Sequence, residues 1–180
     1  PLIAVDLFAG AGGFTLGAER AGIRVAWAAN HWPVAVRSHM ANHPWVSHAC
    51  QDLQQADWGE LPRHDILLGS PQCTGHTRAR GKERPHHDKS RSTAWAIVSA
   101  AEACRPPVVV VENVPEFRSW DSRSQRPKGE LGNMFLQWRS TMQTLGYACA
   151  EYVIDAADCG VPQHRVRLFC VFTRSKAPLR

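Results

Sequence analysis

No apolar run in this sequence approaches the roughly 20 residues that a bilayer-spanning helix needs, which excludes that class of membrane protein. There is no C-x-x-C pair. The six cysteines, at positions 50, 73, 104, 149, 159 and 170, are widely spaced, and several lie inside apolar runs. They read as reduced packing thiols of a cytosolic protein. The nine histidines lack a ligand pattern: His39 and His43 have the i, i+4 spacing of helix ligands, with no acidic or cysteine partner in order beside them. No metal is expected, and these histidines read as surface or capping residues. The opening run Pro1–Asp6 carries no basic n-region, so no secretory leader is expected. Internal repeats, low-complexity segments and domain linkers are missing as well.

What is present is the composition of a globular chain, 180 residues long with 44% apolar and 21% charged residues. That length suits one domain over residues 1–180 with a real core. The net charge of +5 is unevenly placed. Between Arg78 and Arg91 stand Arg78, Arg80, Lys82, Arg84, Lys89 and Arg91 against only Glu83 and Asp88, in a polar stretch with Gly81 and Pro85. Such a stretch is either a solvated loop or an arm that contacts phosphates.

In chain order, Ile3–Phe8 is a continuous apolar run broken by Asp6 and reads as a buried parallel strand. The glycine-rich turn Ala9-Gly-Ala-Gly-Gly13 follows, then a helix from Phe14 to Ala21 closed by Gly22. Glycines let the backbone turn sharply against a ligand, and a helix N-terminus offers free N–H groups. The pattern departs from G-x-G-x-x-G. Arg24–Ala29 reads as a second strand ending at Asn30-His31, and Pro33 as N1 of a helix reaching about Ala41. A short strand within Val46–Leu53 carries Asp52 at its end, and another strand runs from Asp65 to Gly69. Ser92 or Thr93 caps a helix ending before Pro106, and Val108–Val111 is a central strand of four β-branched residues. Leu131, Met134, Phe135, Trp138, Met142 and Leu145 form one helical stripe closed by Gly146, read as core. Tyr147–Ile154 and Arg167–Thr173 pair as closing strands. The alternation predicts an α/β, doubly wound, mostly parallel sheet.

Polar groups gather at predicted strand ends: Cys73 after Gly69-Ser-Pro-Gln72, Glu112 after the four valines, and Arg165 with Arg167 before the last strand. In a parallel sheet such ends converge on one crevice. A lone cysteine there is either a small packing residue or a nucleophile. Burying a carboxylate after four valines is expensive unless it is paired or protonated. A thiol, a carboxyl and a guanidinium fork together favour the nucleophile.

Four motifs in order and at matching spacing carry a resemblance across essentially the whole chain. They are Asp6-Leu-Phe-Ala-Gly-Ala-Gly-Gly13, Gly69-Ser-Pro-Gln-Cys-Thr74, Glu112-Asn113-Val114 and Gln163-His-Arg165-Val-Arg167. The chain resembles the catalytic domain of the DNA (cytosine-5)-methyltransferase family. The resemblance implies a Rossmann-like fold dependent on S-adenosylmethionine (SAM), with an antiparallel C-terminal hairpin strand. It implies SAM contacts from Asp6, Phe8, Ala9, Gly10, Gly12, Gly13, Phe14, Asn30, His31, Asp52, Leu53 and Pro71, with Asp52 at the adenine edge. Cys73 would be the nucleophile and Glu112 the proton donor. Arg165 would hold that carboxyl, Arg167 would contact the cytosine O2, and Asn113 would order the loop. Thr74–Arg91 would be a catalytic loop closing over flipped duplex DNA, its basic residues on phosphates.

Three features depart from the family pattern. Gln72-Cys73-Thr74 stands where Pro-Cys-Gln is common, and Asn30-His31 replaces the acidic residue that binds the ribose. The third is that no target-recognition domain or last conserved segment follows Gln163–Arg167, so a catalytic fragment, half of a split enzyme and a remnant are all expected possibilities. A non-catalytic nucleic-acid-binding module needing a complementing chain is one competing reading, and RNA in place of DNA is another. A nicotinamide-dependent oxidoreductase would leave Cys73 and Glu112 unexplained. A prokaryotic or phage-type cytosol, with DNA as partner, is the expected setting.

Overall fold

A computed structural model describes residues 1–72, 93–121 and 129–174. Among them seven strands form one sheet: β1 (Ile3–Leu7), β2 (Arg24–Asn30), β3 (Ser47–Cys50), β4 (Ile66–Gly69), β5 (Val108–Asn113), β6 (Ala148–Asp155) and β7 (Val166–Thr173). Four α-helices accompany them among the described residues: α1 (Gly13–Arg20), α2 (Pro33–Asn42), α3 (Thr93–Cys104) and α4 (Asn133–Thr144). None of these helices is long and apolar enough to cross a membrane.

The strand order is β3-β2-β1-β4-β5-β7-β6. The first five strands of the chain are parallel, and β7 runs antiparallel to both β5 and β6. The chain moves outward from β1 through β2 to β3, then crosses back to place β4 on the other side of β1. That reversal makes the space beyond the carboxyl ends of β1 and β4 the natural ligand crevice.

Strand alternation divides the sheet into two faces. Val5, Leu7, Leu67, Val109, Val111, Leu168 and Phe172 pack with Ile97 and Ala101 of α3 and with Phe135, Trp138 and Met142 of α4. The Trp138 indole N–H donates to the Ala94 carbonyl at 3.0 Å, fastening the two helices across this core. On the opposite face Ala4, Ala28, Ile66 and Leu68 pack with Ala18 of α1. The helical stripe read from the sequence is the buried side of α4, because each large side chain removed from water contributes about 1.5–3 kcal/mol. Paired bonds, Gly146 N–H to Gln143 and Tyr147 N–H to Met142, end that helix where the glycine was expected to close it.

One strand is longer than its apolar run. Glu112 and Asn113 belong to β5 because β7 pairs with them, opposite Phe169 and Leu168. Propensity alone ends this strand at Val111, whereas the ladder from a segment more than 50 residues later extends it.

Candidate active site

The turn after β1 is the first wall of the site. Phe8 sits at φ 60, a left-handed conformation rarely adopted by a bulky side chain, and its ring is buried. The Ala9 N–H donates to Ala29 of β2 at 3.1 Å, and the Gly12 N–H donates to Ala9 at 3.0 Å. Gly10 and Gly12 also have positive φ, 56 and 101. Among the described residues no side chain caps the start of α1. A Cβ added at Gly10 or Gly13 would meet nothing within 4 Å among the described residues. Added at Gly12 it would strike the His43 ring. The turn is therefore open on one side and filled by an imidazole on the other.

Beside the turn, the Asn30 Oδ1 at the end of β2 accepts from the Trp32 N–H at 3.0 Å, and His31 is exposed. The Gln51 N–H donates to Asn30 at 3.1 Å, holding the β3 exit against β2. Asp52 is exposed there, with its Oδ1 accepting from the Gln54 N–H at 3.0 Å. Phe8, Ala9, Gly10, Gly12, Gly13, Phe14, Asn30, His31 and Asp52 thus gather around the carboxyl ends of β1 to β3. Leu53 and Pro71 are buried in their own surroundings. Asp6 lies beneath the turn at 0% exposure, where the Thr15 hydroxyl donates to its Oδ2 at 2.7 Å. Burial pushes the Asp6 carboxyl up to about 7, with the Thr15 hydrogen bond pulling the other way.

The second wall is built by β4, β5 and β7. Arg167 Nε lies 2.9 Å from Glu112 Oε1, both side chains remaining about a fifth exposed at 22% and 23%. Phe169, opposite Glu112 on β7, meets Phe14 in the first turn of α1 edge-to-face at 6.3 Å. The two walls consequently share one crevice. The buried Asn113 donates from Nδ2 to the Pro71 carbonyl at 3.3 Å and accepts the Val114 N–H at 2.9 Å. The Thr93 hydroxyl donates to the Gln72 carbonyl, also at 3.3 Å. Both ties grip the backbone leading out of β4. Cys73 itself lies outside the described residues, as do Arg78, Arg80, Lys82, Arg84, Lys89 and Arg91.

The arginines differ from expectation. Arg165 was expected on the Glu112 carboxyl, and Arg167 occupies that place. Side chains two apart on a strand share a face, so Arg167 stands with Phe169 on the side where Glu112 points. Arg165 precedes β7, is exposed, and has its backbone N–H held by Asp155 Oδ1 at 2.8 Å. His164, beside it, bonds the other oxygen of Asp155 at 2.9 Å. These donors hold the Asp155 carboxyl below its ordinary value, the His164 ring chiefly, then the N–H groups of Arg165 and Ala157.

Sequence reasoning overlooked the support beneath the turn. His39 and His43 are 1% and 4% exposed and contact α1, so neither is a surface residue. Their i, i+4 spacing was a visible signal, but nothing local says which element that helix face packs against.

The reversal at β1, the glycine turn after it and an ion pair at the carboxyl end of β5 define an α/β, Rossmann-like domain with its polar groups at the topological switch point. The model of the C-5 cytosine-specific DNA methylase family matches residues 2–180, and the chain belongs to that family. It is 31% identical over 169 residues to the type II methyltransferase M.NlaX of Neisseria lactamica, covering 93% of this chain and 50% of that protein. It is 32% identical over 171 residues to the type II methyltransferase M1.HphI of Haemophilus parahaemolyticus, covering 91% and 44%. The chain spans about half the length of these curated relatives. Among solved structures, the Dnmt2 methyltransferase of S. pombe superimposes with a TM-score of 0.76 at 18% identity, over 99% of this chain and 53% of that one. A DNMT2 of Spodoptera frugiperda gives 0.74 at 20%, over 98% and 51%. At those identities the likeness is one of fold.

Proposed function

We propose that this protein transfers a methyl group from SAM to C5 of cytosine in duplex DNA, with Cys73 as the covalent nucleophile. The observation that carries the reading is the Glu112–Arg167 pair, standing beside Asn113, whose amide grips Pro71 two residues before Cys73. A thiol, a carboxyl and a guanidinium are what addition to a pyrimidine requires.

The turn fits the cofactor. Among the described residues it is open over Gly10 and Gly13, and no side chain caps the N–H groups of its helix start, which suits a carboxylate. Phe8, Ala9, Gly10, Gly12, Gly13 and Phe14 would hold the methionine end, and Asn30, His31 and Asp52 the ribose and adenine. SAM supplies an electrophilic methyl carbon on a sulfonium.

Cytosine C5 is a poor nucleophile on its own. Attack of the Cys73 thiolate on C6 forms the S–C6 bond and moves the C5–C6 π pair onto C5. Glu112 in its protonated form donates to N3, so negative charge does not accumulate on the ring. Arg167 keeps that carboxyl aimed into the crevice, and Asn113 keeps the strand exit at Pro71 in register with it. The cofactor held at the glycine turn would supply the methyl carbon to C5, its S–CH3 bond breaking and the sulfur keeping the electron pair as the thioether of S-adenosylhomocysteine. Loss of the C5 proton to a base and cleavage of the S–C6 bond restore the C5–C6 double bond and the thiolate, and N3 returns its proton to Glu112. Arg165, whose guanidinium has no ion pair among the described residues, is left to contact the base O2 or its phosphate. The base must leave the duplex to reach this site, and Lys/Arg between 78 and 91 would hold the backbone while it does.

Replacing Cys73→Ala should abolish radiolabelled methyl transfer to duplex DNA and leave calorimetric SAM binding unchanged. Loss of both together would assign Cys73 to the cofactor pocket and overturn the nucleophile.

A further inference from the structure

The end of α2 carries a set of contacts that the chemistry above does not use, and all converge on the glycine turn. The exposed Asn42 donates from Nδ2 to the Ala11 carbonyl at 3.0 Å. His43 Nε2 lies 3.2 Å from the Gly12 carbonyl, a pure acceptor, so that nitrogen is the donor. The same carbonyl accepts the first helical N–H of α1, from Leu16 at 2.8 Å. The other His43 nitrogen is 3.2 Å from Glu19 Oε2, and Glu19 Oε1 accepts the Trp45 indole N–H at 2.6 Å. The His39 ring lies tilted against His43 at 4.8 Å between centroids and reaches Thr15 Oγ1 at 3.0 Å.

The planarity of the peptide gives these contacts a consequence on the ligand side. In a trans peptide the C=O and the following N–H point in opposite directions. Fixing the Gly12 carbonyl inward, on His43 and Leu16, aims the Gly13 N–H the opposite way, out of the start of α1. Holding the Ala11 carbonyl on Asn42 fixes the preceding peptide in the same way. Gly12, at φ 101, occupies a conformation that a glycine enters and leaves at little cost, so the turn needs an external hold to keep one orientation.

We propose that Asn42 and His43 are positioning residues for the cofactor, holding the Ala11 and Gly12 carbonyls so that the Gly13 N–H is presented to the bound ligand's carboxylate. The inference rests on the SAM reading of the turn. Neither side chain touches the ligand. Their effect is preorganisation, which appears in binding and not in the chemical step.

The test is calorimetric titration of the protein, expressed from its natural reading frame, with S-adenosylhomocysteine, paired with steady-state methyl transfer and an unfolding curve for each variant. Asn42→Ala should raise the dissociation constant about threefold to tenfold, and His43→Phe, which keeps a ring under Gly12 without a donor, about tenfold. The Michaelis constant for SAM should rise in parallel while the turnover number at saturation stays within about twofold. His43→Gln, which restores an N–H donor, should recover most of the loss. If His43→Phe fails to fold, Asn42→Ala decides alone, since Asn42 is at the surface. Unchanged dissociation constants in folded variants, or a fall in turnover with none in affinity, would overturn the proposal. A wild-type protein that binds no S-adenosylhomocysteine would overturn the functional reading and this inference with it.

Discussion

Asp6 and His39 are joined through one hydroxyl, and the protons in that chain run one way. Thr15 spends its own proton on Asp6, so it accepts from His39 Nε2, which leaves His39 Nδ1 to accept from His48 Nε2 at 2.8 Å. Asp6 is raised to about 7 by burial, against the pull of its Thr15 hydrogen bonds, and its Oδ1 has no partner among the described residues. His39 is lowered to about 4, by burial first, then by His48 and His43. Each group carries a sign. With its folded value above the ordinary 3.8, Asp6 supports stability fully at low pH, and that support is lost as pH rises towards 7. With its folded value below the ordinary 6.5, His39 gives stability present above 6.5 and lost as pH falls towards 4. The two slopes oppose each other between about 4 and 6.5. The contributions of these two groups should therefore largely cancel across that window. Asp6→Asn, which still accepts from Thr15, should remove one slope and leave stability rising with pH, by on the order of 1–3 kcal/mol. Urea unfolding at half-unit pH steps measures this, and parallel curves for the two proteins would refute the opposed titrations. At the other wall, Arg167→Ala should lower turnover by at least about 100-fold with SAM binding kept, because it releases the Glu112 carboxyl. Arg165→Ala should instead raise the Michaelis constant for DNA. A reversed pattern in single-turnover and binding assays would return the carboxyl to Arg165.

At the scale of elements, a helix is legible when its own spacing determines which side is buried, and α4 shows this. Phe135, Trp138 and Met142 are all fully buried, as their periodicity requires, and Phe117 adds edge-to-face contacts with both aromatic rings. Trp138→Ala should cost about 3–5 kcal/mol, from the cavity together with the loss of the bond to the Ala94 carbonyl. The urea midpoint reads that loss directly, and a change under about 1 kcal/mol would mean the neighbouring rings collapse into the space. The readings that missed depend on partners far along the chain. The true end of β5 depends on β7, the identity of the arginine on Glu112 depends on strand register, and the burial of His39 and His43 depends on α2 lying against the glycine turn. No residue within a turn of those positions encodes such contacts, so local periodicity and capping rules are silent about them.

For the whole molecule, the alternation of strands and helices was enough to foresee a mostly parallel sheet, because short βα connections and right-handed crossovers leave few topologies open, while the antiparallel closing strand was an implication of the family resemblance. Both walls of the crevice were also foreseeable, since motifs at strand ends must meet when the strands are parallel. Affinity for DNA is another matter, for it belongs to charge distribution more than to fold. The chain carries +5, and six of its Lys/Arg residues fall between positions 78 and 91. If those side chains neutralise phosphates, each contributes about 0.9 to the slope of log affinity against log salt. Replacing all six with glutamine should reduce the slope by about 3–5 and weaken binding alike for cognate and unrelated duplexes, since phosphate contacts position the protein without reading bases. Calorimetric SAM binding should be unchanged, because the glycine turn lies on a different segment. Fluorescence anisotropy with a labelled duplex from 50 to 300 mM salt, roughly the range over which such contacts are titrated out, measures both terms. An unchanged slope would take this stretch off the phosphates and leave DNA binding to surfaces around Arg165 and beyond.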